Sequence, residues 1–364
     1  MRCTVRKPRT TIKPRTIKPR TVRPRTIRPR AVRSRKAGLP AALAAVAALA
    51  LAAGCSGSGG KGAEDKPSGG AGVRPVDTPR MTIGMVSHAG EGDTFWDIVQ
   101  NGAEQAARKD NVKFLYANDK EGGKQAELVQ SYLDQKVDGL IVTLAKPQAL
   151  AAVVRKAVAQ GVPVITINSG GQFSARYGAL THIGQDETVA GRAVGEELNK
   201  RGRKKALCVV HEQGNVSLED RCAGVRATFS GRVENLNVDG TNAPASQSSV
   251  QARLQSDRDI DAVVTLGAPM AAIAGKARDE AGSKARIGTF DLNPSVVGLL
   301  KKKDIDFAVD QQPYLQGYEA VDLLWLHKAN GNVLGGGKPV LTGPAVVTGK
   351  DVPKLEEYTG RGTR

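Results

Sequence analysis

From Met81 to about residue 313 the sequence alternates, without a break, between short apolar runs and amphipathic stretches. The runs read TIGMVSHA, VKFLYAN, GLIVTLA, PVITINS, ALTHIGQD, ALCVVHE, VENLNVDG, AVVTLGA, ARIGTFDLN and FAVDQQP. Their cores are rich in Val and Ile and lack clear polar alternation, as suits central parallel strands covered on both faces. Between most of them lie helical patterns such as FWDIVQNGAEQAARK and KQAELVQSYLDQK, and several open on Pro and stop at Gly, as from Pro147 to Gly161. Strict alternation of this kind predicts open, doubly wound α/β sheets. Ten strands exceed one comfortable sheet, so two parallel-sheet lobes are expected, and the globular pattern to about residue 355 is long enough for both. Ligands of such sheets bind beyond the carboxyl ends of the strands.

Those ends are polar: Ser87-His88, Asn118-Asp119, Asn168-Ser169, Gln185-Asp186, His211-Glu212, Asp291-Leu292-Asn293 and Asp310-Gln311-Gln312. Asn, Asp and Ser also stand there simply to cap helices. Capping or turn chemistry is the reading for Asn118, Asp119, Glu187 and Asn293.

The net charge of +17 suggests at first an acidic polymer as partner. Residues 1–36, however, hold 15 of the 53 Lys and Arg and no acid, which leaves 38 basic against 36 acidic residues. The remainder is nearly neutral, and no nucleic-acid groove is implied. The basic arm, with its stutter TIKPRTIKPRTVRPRTIRPR, is followed by the apolar run Ala37 to Gly54 and then Cys55. Basic, short apolar and small-residue regions in that order make a secretory signal. With Cys55 next, it resembles a bacterial lipoprotein signal, in which the cysteine is lipidated and becomes the new N-terminus; Ala52 stands where Leu is usual. Pro40 and the shortness of the run argue against a spanning helix. Arg33-Ser34-Arg35-Lys36 is a sufficient basic start, so translation from Val32 is a reasonable reading of the repeats upstream. Gly, Ser and Pro then dominate to residue 80, as in a flexible tether.

Cys208 and Cys222 remain for the folded part of an exported chain, where disulfides persist. Cys208 falls in a predicted strand and Cys222 in the first turn of the next helix; a disulfide is the favoured reading and two buried thiols the other. Their spacing, with no second pair, argues against zinc.

Six segments together resemble the sugar-binding solute receptors of bacterial ABC transporters, the ribose/galactose type. They are GDTFWDIVQNGAEQAA, VPVITINS, HIGQDETVAGRAVGEEL, NVSLEDRCAGVR, IGTFDLNPSVVGLLKKK and DFAVDQQP, in the family's order and covering nearly all of residues 81–355. The resemblance implies the type I periplasmic-binding-protein fold, with two lobes joined by a three-segment hinge. It places crossovers near 182–185, 310–313 and 341–345. The lobes would be residues 81–183 with 312–341, and 184–311 with 342–358; residues 1–54 would be leader and signal, and 55–80 tether.

Carried over by position, the resemblance makes Phe95 and Trp96 the aromatics beside the sugar, one of them packing inward, and Asp93 a polar residue bonding hydroxyls. Asn168 takes the place of the acid or amide after the fourth strand, and Arg221 that of the second lobe's guanidinium. Phe290 and Asp291 become an aromatic and a carboxylate facing it, and Gln311 an amide at the hinge. Carboxylates, amides and Arg engage paired hydroxyls, while a flat ring covers a sugar's C–H face. Two departures stand out. The family commonly has Asn-Asp where Gly267-Ala268 stand, which removes a polar contact and leaves the pocket larger or less polar. The loop SHAGEGD is longer than usual, which leaves the part played by Glu91 open.

The resemblance implies binding by lobe closure, not catalysis, of a monosaccharide or related polyol, hexose ahead of pentose. It implies delivery to ABC permease subunits by a monomer tethered to the outer face of the membrane, with no cofactor and no metal. A receptor for a nucleoside, or a sensing co-receptor, are the alternatives. An enzyme is disfavoured because Gly-x-Ser-x-Gly, the Gly-x-x-x-x-Gly-Lys loop and a Gly-x-Gly-x-x-Gly after the first strand are missing, and the four histidines do not cluster. His211-Glu212 resembles an acid–base pair, but neighbours on a strand point to opposite faces. Repressors with this fold need a helical DNA-binding headpiece, which the proline-studded leader cannot make.

Overall fold

The computed structural model describes residues 78–364 except Glu91. The signal, Cys55, most of the tether and Glu91 therefore lie outside the described residues. The first half of the fold runs β1 (Thr82–Ser87), α1 (Phe95–Lys109), β2 (Lys113–Asn118), α2 (Gly122–Asp134), β3 (Gly139–Thr143), α3 (Pro147–Ala159), β4 (Val164–Ile167), the single turn α4 (Gly171–Ser174) and β5 (Thr181–Gln185). It continues α5 (Glu187–Lys200), β6 (Lys205–Val210), α6 (Val216–Thr228), β7 (Arg232–Asn237), α7 (Ala243–Ser256), β8 (Ala262–Thr265), α8 (Ala268–Glu280), β9 (Arg286–Phe290), α9 (Pro294–Lys302) and β10 (Phe307–Asp310). The chain closes with α10 (Pro313–Asn330), β11 (Val340–Gly343), β12 (Ala345–Val347) and α11 (Val352–Gly360).

The strands form two six-stranded sheets with one plan, β11-β5-β4-β3-β1-β2 and β12-β10-β9-β8-β6-β7. All ten expected strands are present. The two extra strands, β11 and β12, are short outer ones that the sequence does not mark. β3, β4 and β8 are buried along their whole length, which is why their sequences are continuous apolar runs. Each sheet carries a core on both faces; Ile141 and Ile165 serve one side of the first sheet, and Val142 and Val164 the other.

The crossovers exchange helices. α5 follows β5 of the first sheet yet packs Ala190, Val194 and Leu198 into the second lobe's core. α10 follows β10 of the second sheet yet packs Ala320, Val321 and Leu324 into the first. Close helix pairs anchor both exchanges. A Cβ on Gly102 of α1 would lie 2.0 Å from the Tyr314 carbonyl oxygen, and one on Gly191 of α5 2.1 Å from that of Arg221. Cys208 of β6 is disulfide-bonded to Cys222, which lies in the second turn of α6 and not the first. The bond fixes α6, the helix that carries Arg221.

Candidate functional site

A cavity of about 580 Å3 opens at the carboxyl ends of both sheets. Asp93, Phe95, Trp96, Asn168, Arg221, Asp291 and Gln311 all line it. From the first lobe, the loop after β1 brings Asp93, whose carboxylate accepts a hydrogen bond from the Phe95 amide at 3.1 Å and so holds the start of α1. Burial, with Glu212 and Asp97 nearby, pushes the Asp93 carboxyl up to about 6. Trp96 stands edge-on to Phe95 (5.2 Å between centroids) and to His88 (4.9 Å). Both aromatics line the cavity and belong to the first lobe's core at once, with exposures of 7% and 4% for Phe95 and Trp96. The division into one inward and one ligand-facing ring is not seen.

Asn168 and Asp291 end equivalent strands, β4 and β9, and both adopt the left-handed backbone, with φ of 62° and 67°. Such conformations are costly for non-glycine residues and gather at functional sites. Here they turn two side chains into the cleft. Gln311, at the exit from β10, ties them together: Asn168 Nδ2 donates to Gln311 Oε1 (3.1 Å), and Gln311 Nε2 donates to Asp291 Oδ1 (2.6 Å). Burial raises the Asp291 carboxyl to about 7 against the pull of Arg221 and Gln311.

Arg221 is held on three sides. Nε and Nη2 donate to the two oxygens of Glu187 (2.6 and 3.0 Å), and Nη1 donates to the Leu266 carbonyl (2.7 Å). The guanidinium lies 4.5 Å over the Phe290 ring. Of its five N–H groups, one on each terminal nitrogen is left for a ligand, and Nη1 stands 3.9 Å from Asp291 Oδ2. Glu187 already neutralises the guanidinium, so this wall suits neutral hydroxyls better than a phosphate or carboxylate.

Two expectations need correction. Phe290 does face the Arg221 guanidinium, as expected, but it is fully buried in the second lobe's core and does not line the cavity, so it is a platform under Arg221 and not a ligand contact. Glu187 does not cap α5. Asp186 does, accepting from the Val189 amide at 2.9 Å, and Glu187 turns inward to Arg221. Asn293 does cap α9, through the Val296 amide.

The cavity is also lined by His88, His211, Glu212, Asn215 and Lys146, none of which the sequence singles out as a ligand contact. His211 and Glu212 both reach it because β6 ends at Val210, so the two-face alternation of a strand no longer applies. Burial lowers the pKa of His88 below its ordinary value and that of His211 to about 4, so both imidazoles are neutral. Several of these groups also join the lobes across the cleft. His88 Nε2 is 3.3 Å from Asn215 Nδ2, Lys146 Nζ is 3.7 Å from Glu212 Oε1, and the Val216 amide donates to the Ala145 carbonyl at 3.1 Å. Gln172 donates to Asp220 at 3.0 Å. The lobes are thus closed on each other along this edge.

Residues 83–332 match the family model described as periplasmic binding protein domain. The chain belongs to that family. Its members here are substrate-binding proteins of transporters rather than enzymes, and membership implies an extracytoplasmic location. The periplasmic-binding-protein chain is 46% identical to a carbohydrate transporter from Acidothermus cellulolyticus 11B solved in complex with myo-inositol. That likeness has a TM-score of 0.78 and covers 79% of this chain and 100% of the other. The ribose import binding protein RbsB of Bacillus subtilis is 25% identical over 250 residues, which are 66% of this chain and 80% of that protein. The xylose/arabinose-binding protein XylF of Sulfolobus acidocaldarius is 24% identical over 218 residues, and the chain spans only 54% of its length. No described helix is long and apolar enough to cross a membrane.

Proposed function

We propose that this protein is the receptor of an ABC importer for a neutral polyol or monosaccharide, with inositol the first ligand to test. The observation that carries it is the line Asn168–Gln311–Asp291 beside Arg221, facing Trp96 and Phe95 within one closed cleft. The line offers donors and acceptors in turn to a rim of hydroxyls, and the rings offer an apolar wall to C–H groups. Asn168, Arg221, Asp291 and Gln311 are the polar contacts of this reading, with Asp93 beside them, and Phe290 acts through Arg221. The myo-inositol-bound neighbour at 46% identity supports a cyclic polyol over an open one. Lobe closure would present the loaded form, as a monomer, to the permease, and lipid attachment at Cys55 would keep it at the outer face of the membrane.

Thermal melts of the purified protein against inositols, hexoses, pentoses, linear polyols and nucleosides test the reading, followed by calorimetry. Binding to the native state alone adds about 4 kcal/mol at a thousand times the dissociation constant. A large shift with one inositol or sugar is expected. Silence across every inositol, sugar and linear polyol, with a nucleoside responding, overturns the polyol assignment. For the anchor, Cys55→Ala is expected to move the protein from the membrane fraction to the medium; unchanged membrane association overturns it.

A further inference from the structure

Beside Gly267 the sequence suggests a gap or an apolar patch, and the structure has neither. An imidazole fills the space. His211 is the first residue beyond β6, and its ring lies between two glycines from the loops after β7 and β8. A Cβ on Gly267 would stand 3.1 Å from His211 Cε1 and 3.4 Å from Nε2; one on Gly240 would stand 3.1 Å from His211 Cδ2 and 2.9 Å from its carbonyl oxygen. Gly267 has φ −168° and ψ 152°, extended backbone that any residue adopts. Its lack of a side chain is therefore about room for the ring, not about backbone freedom.

The Nδ1 atom of His211 is buried and has no hydrogen-bond partner among the described residues. An unpartnered buried N–H is rarer and costlier than an under-used acceptor lone pair. The neutral ring therefore keeps its proton on Nε2. That nitrogen borders the place a Gly267 side chain would take, and Asp291 Oδ2 lies 4.0 Å from the same point. A donor and a carboxylate acceptor thus both border the cavity wall at Gly267, and a ligand hydroxyl over that wall, which accepts and donates at once, satisfies both.

We infer that His211 is a specificity-determining contact, donating from Nε2 to one ligand hydroxyl seated at Gly267 beside Asp291. The inference rests on the polyol reading above. It predicts that the site demands a free hydroxyl at that one ring position and rejects a hydrogen or a methyl ether there, because Nε2–H and the carboxylate would be left unpaired in a closed cleft.

Calorimetry with myo-inositol, its monodeoxy analogues and its mono-O-methyl ethers tests this, on the wild type, His211→Ala, His211→Gln, Gly267→Asn and the double variant His211→Ala/Gly267→Asn. Ligand-free melts check that each variant folds. In the wild type one deoxy position is expected to cost at least tenfold in affinity. His211→Ala should lose about tenfold for myo-inositol and most of the discrimination at that position, and His211→Gln, which keeps an N–H, should recover part of both. Gly267→Asn should weaken binding by displacing the ring, and removing the ring in the double variant should restore some of it. Nitrogen NMR of the His211 ring should show the Nε2–H tautomer, with a shift on adding myo-inositol. Binding of myo-inositol by His211→Ala within twofold of wild type, with the same preference among analogues, overturns the inference and leaves the polyol reading standing. An Nδ1–H tautomer also overturns it. A wild type that binds none of these compounds nor any sugar overturns both.

Discussion

The two lobes share a sheet order, but their side chains divide the work unequally. Asn168 and Asp291 match as strand ends, each with its amide bonded to the neighbouring strand, to Ile183 and Val309 respectively. By the same register Gln185 matches Gln311. Both glutamines donate to a carboxylate, Gln185 to Glu187 (2.9 Å), which holds Arg221 from behind, and Gln311 to Asp291 of the cavity wall (2.6 Å). Yet the first lobe brings two aromatics and Asn168 to the cleft, with Asp93, His88 and Lys146 around them, while the second brings Arg221, Asp291 and His211. The second lobe also holds the disulfide. Four of its helices, α5, α6, α7 and α9, are capped by Asp186, Asn215, Asn242 and Asn293, whereas the N-cap side chains of α1, α2, α3 and α10 make no such bond. A directional, charged wall needs a fixed frame because a small misplacement loses a hydrogen bond. A ring face tolerates sliding. The duplicated backbone thus sets the geometry, and local fastening follows the lobe whose chemistry is less forgiving.

The largest test of this asymmetry is Arg221→Met. It leaves Glu187 buried without its partner and removes two donors from the ligand wall. A stability loss of about 3–5 kcal/mol in urea melts is expected, along with loss of polyol binding by calorimetry. Adding Glu187→Met should return much of the stability and none of the binding. In the first lobe Asn168→Ala should weaken binding while costing far less stability. Equal losses at the two positions would show that the lobes are fastened alike.

Next comes the disulfide. Replacing Cys208 and Cys222 by Ala opens a loop with a sequence separation of 14 and is expected to cost about 3 kcal/mol. Affinity should fall as well, because Cys222 adjoins Arg221 in the chain. Melts with and without reductant read the first effect and calorimetry the second. Unchanged affinity would mean that the Glu187 pair alone positions the guanidinium.

The layers are legible in the periodicity of the chain, because each buried strand must be apolar on both faces and each helix on one. Asn168, Asp291 and Gln311 are legible for a related reason: they stand where strands stop. Partners from distant segments are not. Glu187 lies in the first turn of a helix, where an acid fits a cap equally well, and only the fold brings Arg221 against it. Phe290 and Asp291 are neighbours in sequence, but the left-handed turn at Asp291 separates a core ring from a cleft carboxylate. The neighbours His211 and Glu212 mislead the other way, since a strand ending two residues early, at Val210, admits both to the cavity. β11 and β12 are outer strands buried at one position each, so they lack the continuous apolar run that marks the similarly short β4 and β8.

A smaller effect belongs to the first lobe. His182 of β5 is buried, with Nε2 unpartnered among the described residues and Nδ1 2.9 Å from Thr166 Oγ1; the matching residue of β10 is Ala308. Burial lowers the His182 pKa to about 4. An unfolded histidine titrates near 6.5, so between these values the unfolded chain holds a proton that the folded one does not. Stability from this residue is complete above pH 6.5 and is lost as pH falls toward 4. From pH 7 to 5 the wild type should lose about 2 kcal/mol more than His182→Asn. Parallel urea curves for the two proteins at both pH values would show that the imidazole does not carry the first lobe's acid sensitivity.

The smallest expected difference concerns the caps. Asn242 and Asn293 accept from the amides of Ala245 (3.1 Å) and Val296 (2.8 Å), so alanine at either should cost about 1 kcal/mol. Thr94 occupies the corresponding place before α1 without a side-chain bond, since Asp93 already holds the Phe95 amide. Thr94→Ala should therefore be silent within a few tenths of a kcal/mol. Hydrogen exchange in the first turns of α7, α9 and α1 separates local from global effects: protection should fall in α7 and α9 for their own variants and stay unchanged in α1. A loss at Thr94→Ala equal to that at Asn293→Ala would mean that the first lobe relies on its helix starts as much as the second, and that the fastening does not follow the chemistry of the cleft.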